Sequence, residues 1–156
     1  MTVVGYELPK AERLVGGWIA PQVVKEGQYG TDRIAPYEKF NDFDTSTGRI
    51  EALEAHDYIV FARHGGYVVD QHSKDTVVGM QIDCWAKTRS RAEEMANKVT
   101  MLMYEMEGQT IDGFSIDFVE ALRGPEEDKS NLVNDERVMT VGFEIHIGAK
   151  WIYNDV

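Results

Sequence analysis

Apolar and polar residues alternate with a period of two along several stretches of the chain and recur every three or four residues along two others. From Val77 to Ala86, Val78, Met80, Ile82, Cys84 and Ala86 fall on one side, and Gly79, Gln81, Asp83 and Trp85 on the other. From Arg137 to Ala149 the alternation is strict: Met139, Val141, Phe143, Ile145, Ile147 and Ala149 point one way, and Val138, Thr140, Gly142, Glu144, His146 and Gly148 the other. Gly113 to Leu122 alternates as well, with Phe114, Ile116 and Phe118 predicted on one face. Tyr58 to Arg63 is an apolar run closed by His64-Gly65-Gly66 and predicts a fourth strand. One apolar and one mostly polar face is the pattern of a sheet covered on a single side.

The three-and-four spacing predicts two helices. The first begins near Pro9, a residue suited to the first helical turn, and Ala11, Leu14, Val15 and Trp18 follow at helical intervals. Gly16-Gly17 weakens it and Pro21 is expected to end it. The second is predicted to start at Ser90 as N-cap, with Glu93 completing a capping box. Ala92, Met95, Ala96, Val99, Leu102, Met103 and Met106 then form an apolar stripe, and Gly108 sits where a C-terminal cap is expected. The predicted fold is α/β of the α+β kind. It is a two-layer sandwich with an about four-stranded, mostly antiparallel sheet and both helices on its apolar face. The length of 156 residues suits one domain over 1–156.

Between Gln22 and His56 no period persists. A connection of this length within a compact domain calls for a role, and Tyr29, Tyr37, Phe40 and Phe43 are too many aromatics for a linker. An extended arm that packs on another surface is the expectation, with these four residues as a candidate subunit interface. The acidic run Glu126, Glu127 and Asp128 lies in a turn-rich segment. It is either a solvated loop or, in a ring, part of a lumen or rim.

Charge narrows the function classes. Lys and Arg number 16 against 27 Asp and Glu, a net charge of −11. A general nucleic-acid binder needs a basic surface, and docking on anionic lipid needs one too. A conduit that lets DNA pass without holding it is compatible with this balance. No apolar run approaches the roughly 20 residues that span a bilayer, and MTVVGYELPKAERL lacks the basic start and apolar run of a signal peptide. Cys84 is the single cysteine, so an intrachain disulfide and a cysteine-based zinc site are excluded.

The motifs that carry chemistry are sparse. The junction Ala86-Lys87-Thr88-Arg89 between a strand and a helix has no glycine, so it cannot cradle a phosphate as dinucleotide fingerprints and P-loops do. Lys87, Arg89 and Arg91 form a basic cluster there, read as a solvated cap or an intersubunit ion-pair site. His56, His64 and His72 are spaced eight apart, which is no standard ligand spacing; His72 with Asp70 and Asp75 is the nearest approach to a metal set. Asp42 and Asp44 faintly match the start of a calcium loop, but the glycine and closing glutamate are misplaced. Cys84 on the apolar side of a strand reads as a buried, inert thiol. No serine stands in a nucleophile elbow. No catalytic, cofactor-binding or metal-binding residue is assigned, and no cofactor is expected.

The stretch from Tyr58 to Ala149 resembles the tail terminator proteins of long-tailed bacteriophages. The features are Arg63-His64-Gly65-Gly66 closing a strand, Gln81-Ile82-Asp83-Cys84-Trp85-Ala86 ending the next, and Thr88-Arg89 with Ala92 opening a helix. Arg137 to Ile145 resembles the family's closing strand, and the first helix, with Pro9 before Trp18, fits as well. The resemblance rests on order, spacing and domain size. The segment from Gln22 to His56 departs from the family's short version. The resemblance implies a non-enzymatic virion protein at the head–tail junction, assembled in the host cytoplasm. Its subunits would form a homo-oligomeric ring, usually a hexamer, that caps the tail tube protein and ends its polymerisation. The ring would present a joining surface to head-completion or neck proteins, with DNA passing through its lumen and no membrane involved. Alternatives are another head–tail connector, the tail tube protein, or an α/β domain that binds a small molecule or carries an enzymatic activity.

Overall fold

A computed structural model of the chain describes residues 1–25, 34–36, 57–64, 68–127 and 138–154. Its elements in chain order are β1 (Thr2–Glu7), α1 (Ala11–Lys25), β2 (Ile34–Pro36), β3 (Tyr58–Arg63), β4 (Val68–Val69) and β5 (Thr76–Trp85). They continue with α2 (Arg89–Met106), β6 (Thr110–Ile111), β7 (Phe114–Glu127), β8 (Val138–Ile147) and β9 (Lys150–Asn154). The four strands predicted from the sequence, β3, β5, β8 and β7, stand side by side in that order and pair antiparallel throughout. The α+β architecture therefore holds. Short strands extend the sheet to seven: β2 joins β3 in parallel, β4 pairs with the start of β5, and β6 pairs with the start of β7. Separately, β1 and β9 pair antiparallel as a two-stranded ribbon.

Both helices lie on the apolar face, as the stripes require. Val78, Met80, Ile82 and Cys84 of β5 and Met139, Val141, Phe143, Ile145 and Ile147 of β8 form one buried cluster with Leu14, Val15 and Ile19 of α1 and the α2 stripe. Gly16 lets α1 approach the sheet closely: a Cβ there would lie 2.7 Å from the Phe61 ring. The Trp18 indole N–H donates to the Leu102 carbonyl at 2.7 Å and ties the two helices together.

Four details differ from expectation. Pro21 lies inside α1 and does not end it. The N-cap of α2 is Thr88, whose hydroxyl accepts the Arg91 N–H at 3.2 Å, so Ser90 is already helical and the expected box with Glu93 is not the cap. Phe118 is exposed, because a bulge between Ile116 and Phe118 sets two residues of β7 against one of β8 and shifts the phase; Val119 takes the core position instead. The second face of the sheet is not uniformly open either. At one end Tyr58, Val60, Asp83, Trp85, Val138 and Thr140 are all buried. Gly108 is at the expected C-terminal position, with φ +80° just past the capping Glu107.

Candidate interaction surfaces

The residues with the strongest chemistry are tied into the scaffold. The Asp83 carboxylate is buried on the second face of β5. It accepts from the Thr140 hydroxyl at 2.8 Å and from the Gln81 amide at 3.2 Å, which fixes β5 against β8 with a satisfied polar contact. Cys84 points the other way, into the core. Burial, and after it the neighbouring Asp83 charge, pushes its thiol far above the ordinary range, so it stays protonated and inert.

In the basic corner after β5, Lys87 and Arg89 are exposed. Arg91 pairs with Asp57 at 3.0 Å, and so anchors the first turn of α2 to the residue that precedes β3. Asp70 is held below its ordinary pKa by the Ser73 backbone N–H, then the Ser73 hydroxyl, then the His72 N–H. Its Oδ1 therefore closes the β4–β5 turn, with Lys74 at φ 62°, and does not join His72 and Asp75 in a ligand set. His64 is exposed, and its backbone N–H donates to Gly79 O at 2.8 Å. His146 lies 3.1 Å from Glu144 and stacks edge-on with Phe118. Among the described residues no group of three or more potential metal ligands converges.

The predicted interface and rim residues are mostly out of view. Tyr29, Tyr37, Phe40, Phe43, Asp128, His56, Asp42 and Asp44 lie outside the described residues, as does the side chain of Glu127. Glu126 is exposed on β7 and pairs with the Arg123 guanidinium three residues back, which offsets its charge locally.

What the structure adds is a set of exposed apolar surfaces. The ribbon of β1 and β9 carries the largest. Tyr6 stands opposite Trp151 and Val3 opposite Tyr153, so these four share one face, and Tyr6 meets Trp151 edge-on at 5.8 Å. All four are at least 39% exposed. The root of the ribbon is polar: Glu7 faces Lys150, whose ammonium lies over the Phe114 ring, and Lys74 lies over Tyr6. Met101 and Tyr104 of α2 are exposed in the helix layer, and Phe118 and Leu122 of β7 are exposed too, Phe118 beside His146 on the opposite face of the sheet. A cavity of about 440 Å³ lies at the start of α1, lined by Leu8, Pro9, Arg63 and Thr76 among others, with Arg63 paired to Glu12 at 3.4 Å.

The ribbon leaves little trace in the alternation because its two strands are short and far apart in the chain. TVVGYE and KWIYN carry the signal, in aromatic and β-branched residues flanking one another only after folding. Among the described residues no helix is long and apolar enough to cross a membrane. Comparison with protein-family models and with curated proteins returned no match to this chain.

Proposed function

We propose that the chain is a structural virion protein, a ring-forming tail terminator. In this reading the ring caps the tail tube, ends its polymerisation and offers the joining surface for head-completion or neck proteins. It sits at the head–tail junction of the virion, acts without enzymatic chemistry or cofactor, and lets DNA through its lumen. The observation that carries the reading is the exposed apolar ribbon on an otherwise well-packed scaffold. Large apolar side chains left outside a complete core call for a protein surface to cover them. The net charge of −11 supports the conduit, since an acidic lumen repels the phosphate backbone.

The test is the solution mass of the purified chain together with DNA retention. A discrete oligomer of fixed mass, with no appreciable DNA binding at physiological salt, is the expected result. Tight DNA binding that weakens steeply with added salt would instead mark a concentrated basic patch and end the conduit reading.

A second reading is favoured by one observation. Among the described residues β7 pairs with β8 and, only at its start, with β6, so much of its length is an open edge. Open edges of this kind join sheets between subunits, which would suit the tail tube protein itself. Tubes of indefinite length grown from the chain alone would select that reading.

A further inference from the structure

The cavity at the start of α1 gathers hydrogen-bond donors that the fold leaves unmet, and we propose that it binds a monocarboxylate carried on a short apolar body. The site is independent of the ring reading and stands whether or not the chain assembles.

The first donor is Thr76. It pairs with Val69 across β4 and β5 and alternates with Val78 and Met80, so its side chain projects to the helix face of the sheet. There it lines the cavity together with Val69. Thr76 is 1% exposed, and its hydroxyl has no hydrogen-bond partner. A buried hydroxyl left unpaired is costly and calls for an acceptor.

The other donors belong to the helix. The Lys10 carbonyl accepts the Leu14 N–H at 3.1 Å, which places Lys10 just ahead of the first turn of α1. A capping residue there offers a side-chain acceptor to the free N–H groups of that turn, whereas an ammonium can only donate. The first turn is therefore uncapped by Lys10, and Lys10, Ala11 and Glu12 all line the cavity. The positive end of the helix dipole lies at the same place.

Two features set the class of ligand. Leu8, Pro9, Ala11 and Val69 make much of the lining apolar, and Leu8 and Val69 are left exposed, so an apolar body would cover them. A volume of about 440 Å³ suits a small ligand. The charge is best a single negative one. Lys10 supplies a cation, but Arg63 on the cavity wall pairs with Glu12 at 3.4 Å. A phosphate dianion would meet twice the repulsion from that carboxylate. A monocarboxylate is matched by the Thr76 hydroxyl, the first-turn N–H groups and Lys10.

The test is a titration of the isotope-labelled full chain followed by NMR. The probes are octanoate and N-acetyl-leucine, with octanamide and N-acetyl-leucinamide as neutral counterparts. On a chain of net charge −11 an acid has no general reason to adsorb, so localised shifts report the site. Both acids should shift the amides of Ala11, Glu12 and Thr76. Each neutral counterpart should bind on the order of tenfold more weakly, as expected for losing charge-assisted hydrogen bonds. Tighter binding of octanoate would mark a free acid as the source of the carboxylate, and tighter binding of N-acetyl-leucine a chain end; either supports the site. Thr76→Val removes the hydroxyl and keeps the strand propensity. It should weaken octanoate on the order of tenfold and, without a probe, raise the thermal midpoint, because the unpaired hydroxyl is gone. A lowered midpoint would show that the hydroxyl is partnered in the fold and would contradict the premise. Neutral probes that bind as tightly as the acids, or octanoate affinity unchanged in Thr76→Val, would overturn the inference. So would a titration of the unaltered chain to millimolar octanoate that leaves the start of α1 unshifted.

Discussion

Met95 and Met101 lie on the same helix, six residues apart, and should respond oppositely to the same change. Met95 is fully buried in the cluster shared by α2 and the sheet, whereas Met101 is 58% exposed. Lysine and methionine have nearly equal helix propensity, so the backbone term cancels. Met95→Lys leaves an ammonium without a partner in an apolar interface, at a cost of several kcal/mol. Total stability for a domain is about 5–15 kcal/mol, so much of the margin is lost. Met95→Ala isolates the packing part, with an expected cost of about 2–5 kcal/mol. For a chain of this length each kcal/mol moves the thermal midpoint by about 2–4 °C, so a central loss of about 3 kcal/mol lowers it by about 6–12 °C. Met95→Leu keeps the volume and should cost under about 1.5 kcal/mol. Met101→Lys should stay within about 0.5 kcal/mol of the parent. The assay is urea and thermal unfolding followed by circular dichroism, at a protein concentration low enough to keep every variant monomeric. Equal losses at the two positions, or an unchanged midpoint for Met95→Lys, would refute the packing of α2 on the sheet.

Three further predictions follow from other contacts. A Cβ at Gly79 would sit 2.1 Å from the His64 carbonyl oxygen, so Gly79→Ala must push β3 and β5 apart, and unfolding curves should show a loss of about 1–3 kcal/mol. Asp70 is more acidic in the fold than in the open chain, so its contribution is present above the unfolded pKa and fades as pH falls through the lowered folded value. Asp70→Asn should therefore flatten the acid limb of a stability–pH profile and leave the neutral-pH shape alone. Replacing Tyr37, Phe40 and Phe43 together with serine should leave a folded monomer by circular dichroism and abolish rings by light scattering. Unfolding would place these aromatics in the monomer core.

Much of the scaffold was legible because its long central strands each present one continuous apolar face to the helices. In β5 every second residue from Val78 to Cys84 is apolar, and in β8 every second residue from Met139 to Ile147, so the phase of each strand reads directly from the alternation. Where the structure breaks periodicity, legibility ends. The bulge after Ile116 inserts a residue that no local pattern announces, and Phe118 turns outward. Thr88 and Ser90 are both competent caps, and only the backbone decides between them; Thr88 is extended at φ −127°, ψ 154°. Pro21 stays within α1 because the buried Val23, one turn beyond Ile19, holds the following turn on the core. The ribbon was hidden for a different reason. Pairing Thr2–Glu7 with Lys150–Asn154 is the most non-local contact in the fold, and each strand alone is too short to declare its partner. The candidate interface residues of the 22–56 segment were read from composition alone, and Tyr29, Tyr37, Phe40 and Phe43 lie outside the described residues.

The most direct test of the terminator reading is electron microscopy of tail tubes polymerised with and without the purified chain. With the chain present, tubes of bounded length that carry a ring at one end are expected, with further growth blocked when fresh tube subunits are added. Tubes of unchanged length with bare ends, or the chain incorporated along the whole tube, would contradict it.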